Sequence, residues 1–452
     1  MKPTRALLVF PRFGASSFWA LRDVCAVWGA RCPAPPLGLI TVAALLPQTW
    51  SLRLVDCNAE ELTDADIDWA DIVMTGGMLP QRPGTLEVMR RAELRGKPVA
   101  VGGPDAMSSP EAFSHAAFLI VGEAEAVLAD FVRAWDSGSR VGVFRAEKFT
   151  VDIATSPVPR FDLLKFGHYL YIGVQFSRGC PFNCEFCDII ELFGRVPRSK
   201  GNAQMLAELQ ALYDLGYRGH VDFVDDNLIG NKRALKRFLP ELIAWQQARG
   251  YPFQFSTEAS LNLADDDQLL GLMRTANFFA IFTGIESPDT ETLIHTRKKQ
   301  NTRRDIADSV HKIYAAGMFV IAGFILGFDT EKQAAGQGIV DCIDATAIPV
   351  CMVGLLTALP NTQLSRRLER EGRLQPLVIP ADASAGGDQC TAGLNFVPLR
   401  AREEVLVDYR SVLLAIYRPE AYFARVRHVG RRLTRPRHQV RIQAGPFGHR
   451  LH

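Results

Sequence analysis

Short apolar runs alternate with amphipathic stretches through the first 140 residues, the pattern of a parallel sheet wrapped in helices. Ala6–Phe10, Ser51–Asp56, Asp71–Thr75, Pro98–Gly102 and Phe118–Val121 read as its strands. Three of them run into glycine: Gly76-Gly77, Gly102-Gly103-Pro104 and Gly122-Glu123. Ligands of open α/β sheets sit outside the carboxyl ends of the strands, and glycine there lets backbone approach a bulky group. A single glycine needs no more than a tight turn to explain it. Three on one edge point to a ligand-holding domain over residues 1–143.

A polar connector over 144–166, centred on Ser156-Pro157-Val158-Pro159, favours extended backbone and marks a boundary. Beyond it the alternation restarts. Strands are expected at Tyr171–Ser177, His220–Val224, Phe253–Glu258, Phe279–Ile285, Phe319–Leu326 and Val350–Leu356, with helices such as Ala203–Leu215, Lys232–Gln247 and Thr302–Ala316 between them. Six such units over 167–362 predict a partial (β/α)6 barrel, with its chemistry at the strand carboxyl ends. Residues 363–452 complete the α/β chain with a mostly helical region: a loop through Gly387, a helix from Arg400 to Tyr417, and an end rich in arginine. No acid follows Glu420, whereas Arg425, Arg427, Arg431, Arg432, Arg435, Arg437 and Arg441 do. That end reads as a solvated or disordered tail, with an anionic membrane surface as its functional alternative.

The 452 residues, 48% of them hydrophobic, allow roughly three domains at about 150 residues each. Lys+Arg 51 against Asp+Glu 49 leaves no field of one sign, so a nucleic-acid partner is not expected. The longest apolar stretch, Gly317–Phe328, is short of the ~20 residues that span a bilayer. No signal peptide is evident. The expected location is the cytoplasm, with peripheral contact at the inner membrane face through the basic tail as an option.

Nine cysteines are too sparse for a disulfide framework, yet Cys180, Cys184 and Cys187 crowd together. The other six are scattered and read as small buried hydrophobes. Gln175–Cys187 reads QFSRGCPFNCEFC, a C-x3-C-x2-C array straight after a strand. Three thiolates do not close a structural zinc site, and no histidine follows within twenty-five residues to complete one. They suit a [4Fe–4S] cluster with one iron left open. This array, with Phe186 before the third cysteine, resembles the radical S-adenosylmethionine (SAM) superfamily. The resemblance implies that the open iron chelates SAM and that an electron from the cluster cleaves it to a 5′-deoxyadenosyl radical. It also implies SAM-binding roles for Phe186, for Asp225, Asp226 and Asn227 after the second barrel strand, for Glu258 and Glu286 in FSTEAS and TGIESP, and for Gly327 in GFILGF. Asp225–Asn227 also suits a helix-capping turn, and the two readings are compatible.

A Rossmann-like domain ahead of this array resembles the cobalamin-binding, class B branch of the superfamily, on TGGMLPQ (75–81), VGGPDAMSSPE (101–111) and VGEAEAV (121–127). The resemblance implies cobalamin contacts from Gly76, Gly77, Met78, Leu79, Pro80, Gln81, Gly102, Gly103, Pro104, Gly122 and Glu123, with Met78 and Leu79 beneath the corrin. A nicotinamide fingerprint is absent, since the first strand runs into FPRFGA. So is D-x-H-x-x-G; His115, the only histidine in the first 160 residues, reads as helical. PPLGLITVAALLP from Pro35, DFVDDNLIGNK from Asp222, STEASLNLADD from Ser256, GLLTALPNTQLSRRLEREGRL from Gly354 and LNFVPL from Leu394 resemble the subgroup with a C-terminal domain of unknown function that includes the hopanoid C-2 methylases. The implied activity is C-methylation of an unactivated carbon by way of methylcobalamin, on a lipid such as a hopanoid or on a soluble metabolite. A non-methylating rearrangement or oxidation is the alternative. A reducing partner of the flavodoxin or ferredoxin type is implied as well.

Overall fold

A computed structural model describes residues 3–14, 17–376, 388, 390 and 393–434. Six strands, β1 (Arg5–Phe10), β2 (Ser51–Asp56), β3 (Ile72–Gly76), β4 (Val99–Gly102), β5 (Phe118–Val121) and β6 (Gly142–Arg145), form one parallel sheet in the order β2-β1-β3-β4-β5-β6. Alternate residues feed two cores. Leu7, Val9, Val73 and Val101 pack on one face with Val88 and Ala92; Ala6, Ile72, Ala100 and Phe118 pack on the other with Phe131 and Trp135. Burial on both faces is why these strands are near-continuous apolar runs. β6 was not expected: its GVFR sequence alternates half-buried and exposed positions at the sheet edge, a weak apolar signal.

The second sheet is also wholly parallel. Its strands are β7 (Ile172–Val174), β10 (Gly219–Phe223), β11 (Phe253–Glu258), β12 (Phe278–Glu286), β13 (Phe319–Leu326) and β14 (Val350–Leu355), in the order β14-β13-β12-β11-β10-β7. β7 and β14 are its edges, so the barrel is open, as expected of a six-stranded one. A short antiparallel pair, β8 (Ser177–Arg178) and β9 (Arg198–Ser199), follows β7. Val221, Phe223, Phe253 and Phe255 pack outward among the helices, which turns His220, Asp222, Ser256 and Glu258 towards the lumen. Register places Phe282 beside Glu258, then Ile321 and Val350 in line, with Met352 one layer on. One lumen wall is therefore polar and the other apolar.

Among the described residues of the C-terminal region are the helices Gln363–Arg370, Arg402–Ile416 and Pro419–Arg432. The last of these corrects the tail reading for part of its length. Arg425 is 4% exposed, with Nε donating to Ile348 O at 2.9 Å and a further bond to Ile416 O. Its amphipathic helix docks on the barrel through Arg425 and Val429. Arg435, Arg437, Arg441 and the loop through Gly387 lie outside the described residues. His115 is not helical either; it stands in the turn between the 3-10 helix Pro110–Phe113 and β5, at the amino end of that strand.

Candidate functional site

Beyond β7 the chain enters the loop that carries the three cysteines. Gly179 opens it at φ +96°, and a Cβ there would stand 2.9 Å from Gly194 O, so only glycine fits. Asp225 accepts from the backbone N–H groups of Phe176 (2.9 Å) and Ser177 (2.5 Å) and from Ser177 Oγ (2.6 Å); Asp226 accepts from Gly179 N at 2.8 Å. Two acids expected near SAM thus spend their hydrogen bonds bracing the approach to Cys180. Asn227 Nδ2 lies 3.9 Å from Cys180 Sγ and 3.1 Å from Ser260 Oγ. The cap on helix Lys232–Ala248 comes instead from Asn231, whose side chain accepts from Ala234 N.

All three cysteines are free thiols. Burial pushes Cys180 up, and pushes Cys187 well up, with repulsion from Asp188 and the neighbouring thiols adding to the latter. A bound cation reverses that logic and holds thiolates outright. Gln300 Nε2 lies 3.7 Å from Cys184 Sγ, so two of the three sulfurs face a carboxamide N–H. Among the described residues no three His, Cys, Asp or Glu side chains are already drawn into a metal cage. The fit to an iron–sulfur cluster therefore rests on the donor set: three free thiols on one loop, with N–H donors at two of their sulfurs.

Acids line the barrel mouth next to this loop. Glu258 is exposed to solvent yet surrounded by protein, the situation of a side chain lining a deep concavity. Burial, then the charges of Asp222, Asp226 and Asp225, push it up to about 8. Burial raises Asp225 to about 7, and Asp222 and Asp226 to about 6. Asp222 accepts from Ser256 Oγ, which also bonds His220 Nε2 at 2.6 Å. Aspartates crowded around Glu258 closely enough to raise it in this way favour a cationic ligand. Glu286, at the end of β12, adopts φ +67° beside a register shift, a strained conformation of the kind found at ligand sites. Its carboxylate pairs with Lys298 Nζ at 2.6 Å. Gly327 has φ +107° and admits Leu394, whose Cδ2 would be 2.5 Å from an added Cβ; the next residue, Phe328, packs on Phe186 with ring centroids 5.8 Å apart.

The glycine loops of the first sheet face this region. A Cβ on Gly76 would stand 2.2 Å from Gly102 O, and Gly103 has φ +89° with Gly77 N beside it. The β3 and β4 loops are thus glycine-rich because they lie against each other. Gly122 has φ +109° and abuts Ala146. Met78, Leu79 and Pro80 are half-buried, as are Gly102 and Pro104. Gln81 is fully buried, donating to Pro11 O at 2.7 Å and accepting from Met78 N at 3.0 Å, so it shapes the loop from within. Glu123 reaches across to the barrel: its two oxygens take Arg178 Nη1 at 2.9 Å and Arg198 Nη1 at 2.8 Å. Arg178 also bonds Glu125 at 2.7 Å. These ties set the carboxyl edge of the first sheet against the cysteine loop. Sequence reasoning missed Arg178, Arg198, Lys298 and Gln300, since polar residues in two-residue strands and short turns carry no periodicity.

Residues 174–341 match the radical SAM superfamily, and residues 362–449 match a domain of unknown function, DUF4070. An uncharacterized methyltransferase of Synechocystis sp. is 48% identical over 93% of this chain and 77% of its own length. The hopanoid C-2 methylase of Rhodopseudomonas palustris is 37% identical over 93% of this chain and 78% of its own. In fold, the radical SAM methyltransferase TsrM of Kitasatospora setae, solved with cobalamin and a [4Fe–4S] cluster bound, matches with a TM-score of 0.70 at 15% identity, over 92% of this chain and 90% of that one. Motif, architecture and relatives agree, and the chain belongs to the radical SAM superfamily, in the group that carries DUF4070 and includes the hopanoid C-2 methylase.

Proposed function

We propose that this protein is a cobalamin-dependent radical SAM C-methyltransferase acting on an unactivated carbon of a hopanoid-type polycyclic lipid at C-2. The observation that carries the reading is the three-cysteine loop clamped between the carboxyl edges of the two sheets, in a chain 37% identical to a hopanoid C-2 methylase. Bound cluster, SAM and cobalamin would supply the radical and methyl-carrying chemistry, which no side chain provides. The chain's own part is to hold and position. Cys180, Cys184 and Cys187 would ligate the cluster, braced by Asp225 and Asp226. The acids around Glu258 would draw a sulfonium and ammonium cation into the mouth, with Phe186, Asn227, Glu286 and Gly327 around it. The loops at 76–81, 102–104 and 122–123 would carry cobalamin, with the first sheet as its domain, whose last strand β6 carries it two residues past the expected bound of 143, and the rest of 144–166 as the linker to the barrel. An electron would come from a flavodoxin- or ferredoxin-type protein.

The half-buried lumen wall of Phe282, Ile321, Val350 and Met352 supports an apolar substrate. To test the reading, the protein is reconstituted anaerobically with iron, sulfide and cobalamin, then given methyl-deuterated SAM, reductant and a hopanoid. Product three mass units heavier than ordinary methylation gives is expected. 5′-Deoxyadenosine without labelled product would contradict the hopanoid and keep the radical chemistry; label excluded from every product would contradict methylation.

No helix among the described residues is long and apolar enough to cross a membrane. Peripheral contact is supported by exposed Phe423 and Val426 on the same helix as exposed Arg427, Arg431 and Arg432. Co-sedimentation with anionic vesicles is expected to fall when those three arginines become glutamine. Unchanged partitioning would remove this contact.

A further inference from the structure

Between β12 and the helix Ile306–Ala315 lies a short strap, Thr296–Asn301, reading TRKKQN. Its composition suits a solvated loop, yet Thr296, Lys298, Gln300 and Asn301 are each less than a tenth exposed. The strap lies on the cysteine loop. Thr296 O accepts from Glu185 N at 3.0 Å, and Gln300 Nε2 reaches Cys184 Sγ at 3.7 Å. Asn301 Nδ2 ties the strap to the end of β12 through Gly284 O (3.1 Å) and Ile285 O (3.2 Å). The Lys298 ammonium pairs with Glu286 and stands 6.0 Å from the ring centroid of Phe186, the neighbour of Cys187. Burial opposes its charge, but the Glu286 carboxylate 2.6 Å away holds its pKa above the usual lysine range, so it stays a cation.

Burying an ammonium and two carboxamides beside a thiol loop is a costly way to pack a turn. Gln300 Oε1 and Asn301 Oδ1 are buried without a hydrogen-bond partner, so packing alone has not dictated these side chains. Gln300 instead aims its N–H at a cluster ligand, and Lys298 brings a positive charge beside Phe186, which lies between Cys184 and Cys187 in the chain.

On the reading that these cysteines hold a [4Fe–4S] cluster, we infer that Lys298 and Gln300 are tuning residues that hold the cluster's reduction potential up. The cluster gains one electron from a flavodoxin- or ferredoxin-type donor, and its charge becomes one unit more negative. A nearby cation and an N–H donor to a ligand sulfur favour that reduced form over the oxidised one. Glu286 fixes the ammonium in place at 2.6 Å, beside the ring of Phe186.

The test needs neither substrate nor cobalamin. Wild type, Gln300→Leu, Lys298→Met and Lys298→Arg are reconstituted anaerobically, iron and sulfide are counted, and the midpoint is read by EPR-monitored redox titration. At full iron content, Gln300→Leu and Lys298→Met are expected to lower the reduced-to-oxidised ratio at a fixed potential about threefold to tenfold, tenfold being about 59 mV for one electron. Lys298→Arg keeps the charge and is expected to keep the ratio. A merely structural strap would change cluster content or melting temperature and leave the midpoint of intact clusters where it was; that result overturns the inference. Should Lys298→Met fail to fold, Gln300→Leu, which removes no charge, decides. A wild-type protein that assembles no cluster would overturn the parent reading, and this one with it.

Discussion

Replacing Cys180, Cys184 or Cys187 with alanine is expected to leave a folded protein that binds no stable cluster and shows no turnover above background. Each thiolate would be one of only three protein ligands, and two cannot retain a cluster whose remaining iron is meant for a small molecule. The fold should tolerate the change. Cys180 and Cys187 are half-buried, and Cys184, though buried, lies with them outside the packed clusters that hold the sheets. Iron and sulfide analysis, the visible spectrum and product formation measure the loss, and thermal unfolding controls for folding. A variant that kept full activity would remove the assignment of these residues as ligands.

The second large effect is expected at Arg178, two residues before Cys180. Its guanidinium donates to Gln175 Oε1 (2.8 Å), Glu123 Oε1 (2.9 Å) and Glu125 Oε1 (2.7 Å), and its side chain is 13% exposed against 4% and 7% for the two glutamates. Burial alone would raise Glu125; Arg178, helped by Ser156, outweighs it and holds that carboxyl below the usual range. Arg178→Ala would leave Glu125 with the Ser156 hydroxyl in place of its cation and halve the pairing of Glu123, which keeps Arg198. Removing one partner of a buried ion pair costs about 3–5 kcal/mol, a large share of the ~5–15 kcal/mol that separates most native states from unfolded ones. Denaturant unfolding should register a loss of that order. Methylation should fall too, because the same residue joins the glycine-rich edge to the cysteine loop. Arg178→Lys should recover part, since one ammonium cannot serve three acceptors in a fixed fork. A double change, Arg178→Met with Glu125→Gln, should restore more stability than Arg178→Ala retains. A loss below about 1 kcal/mol in the single variant would show the tie to be no stronger than an exposed surface pair.

Several strands were readable residue for residue. Ser51–Asp56, Phe118–Val121, Phe253–Glu258 and Phe319–Leu326 span the bounds that periodicity predicts. Most carry long apolar or aromatic runs because they are covered by helices outside and by other side chains inside. β6 escaped because edge placement leaves Val143 and Arg145 exposed. The last helix escaped because its arginines read as solvated, while the fold buries Arg425 against two backbone carbonyls.

For the site, the sequence by itself determined the chemistry: the spacing of Cys180, Cys184 and Cys187 after a strand, the glycines on one sheet edge, and the acids at barrel strand ends. These are local signals, set by neighbours a few residues apart. Only the tertiary structure decided what each polar group does. It turned Asp225 and Asp226 from free acids into braces for the cysteine loop, and tied Glu123 to arginines 55 and 75 residues away. It also buried a lysine and a glutamine from an ordinary-looking loop against the cysteine loop. A charge or an amide acquires its role from the partner that the fold brings within about 3–4 Å, and one-dimensional spacing carries no record of that partner.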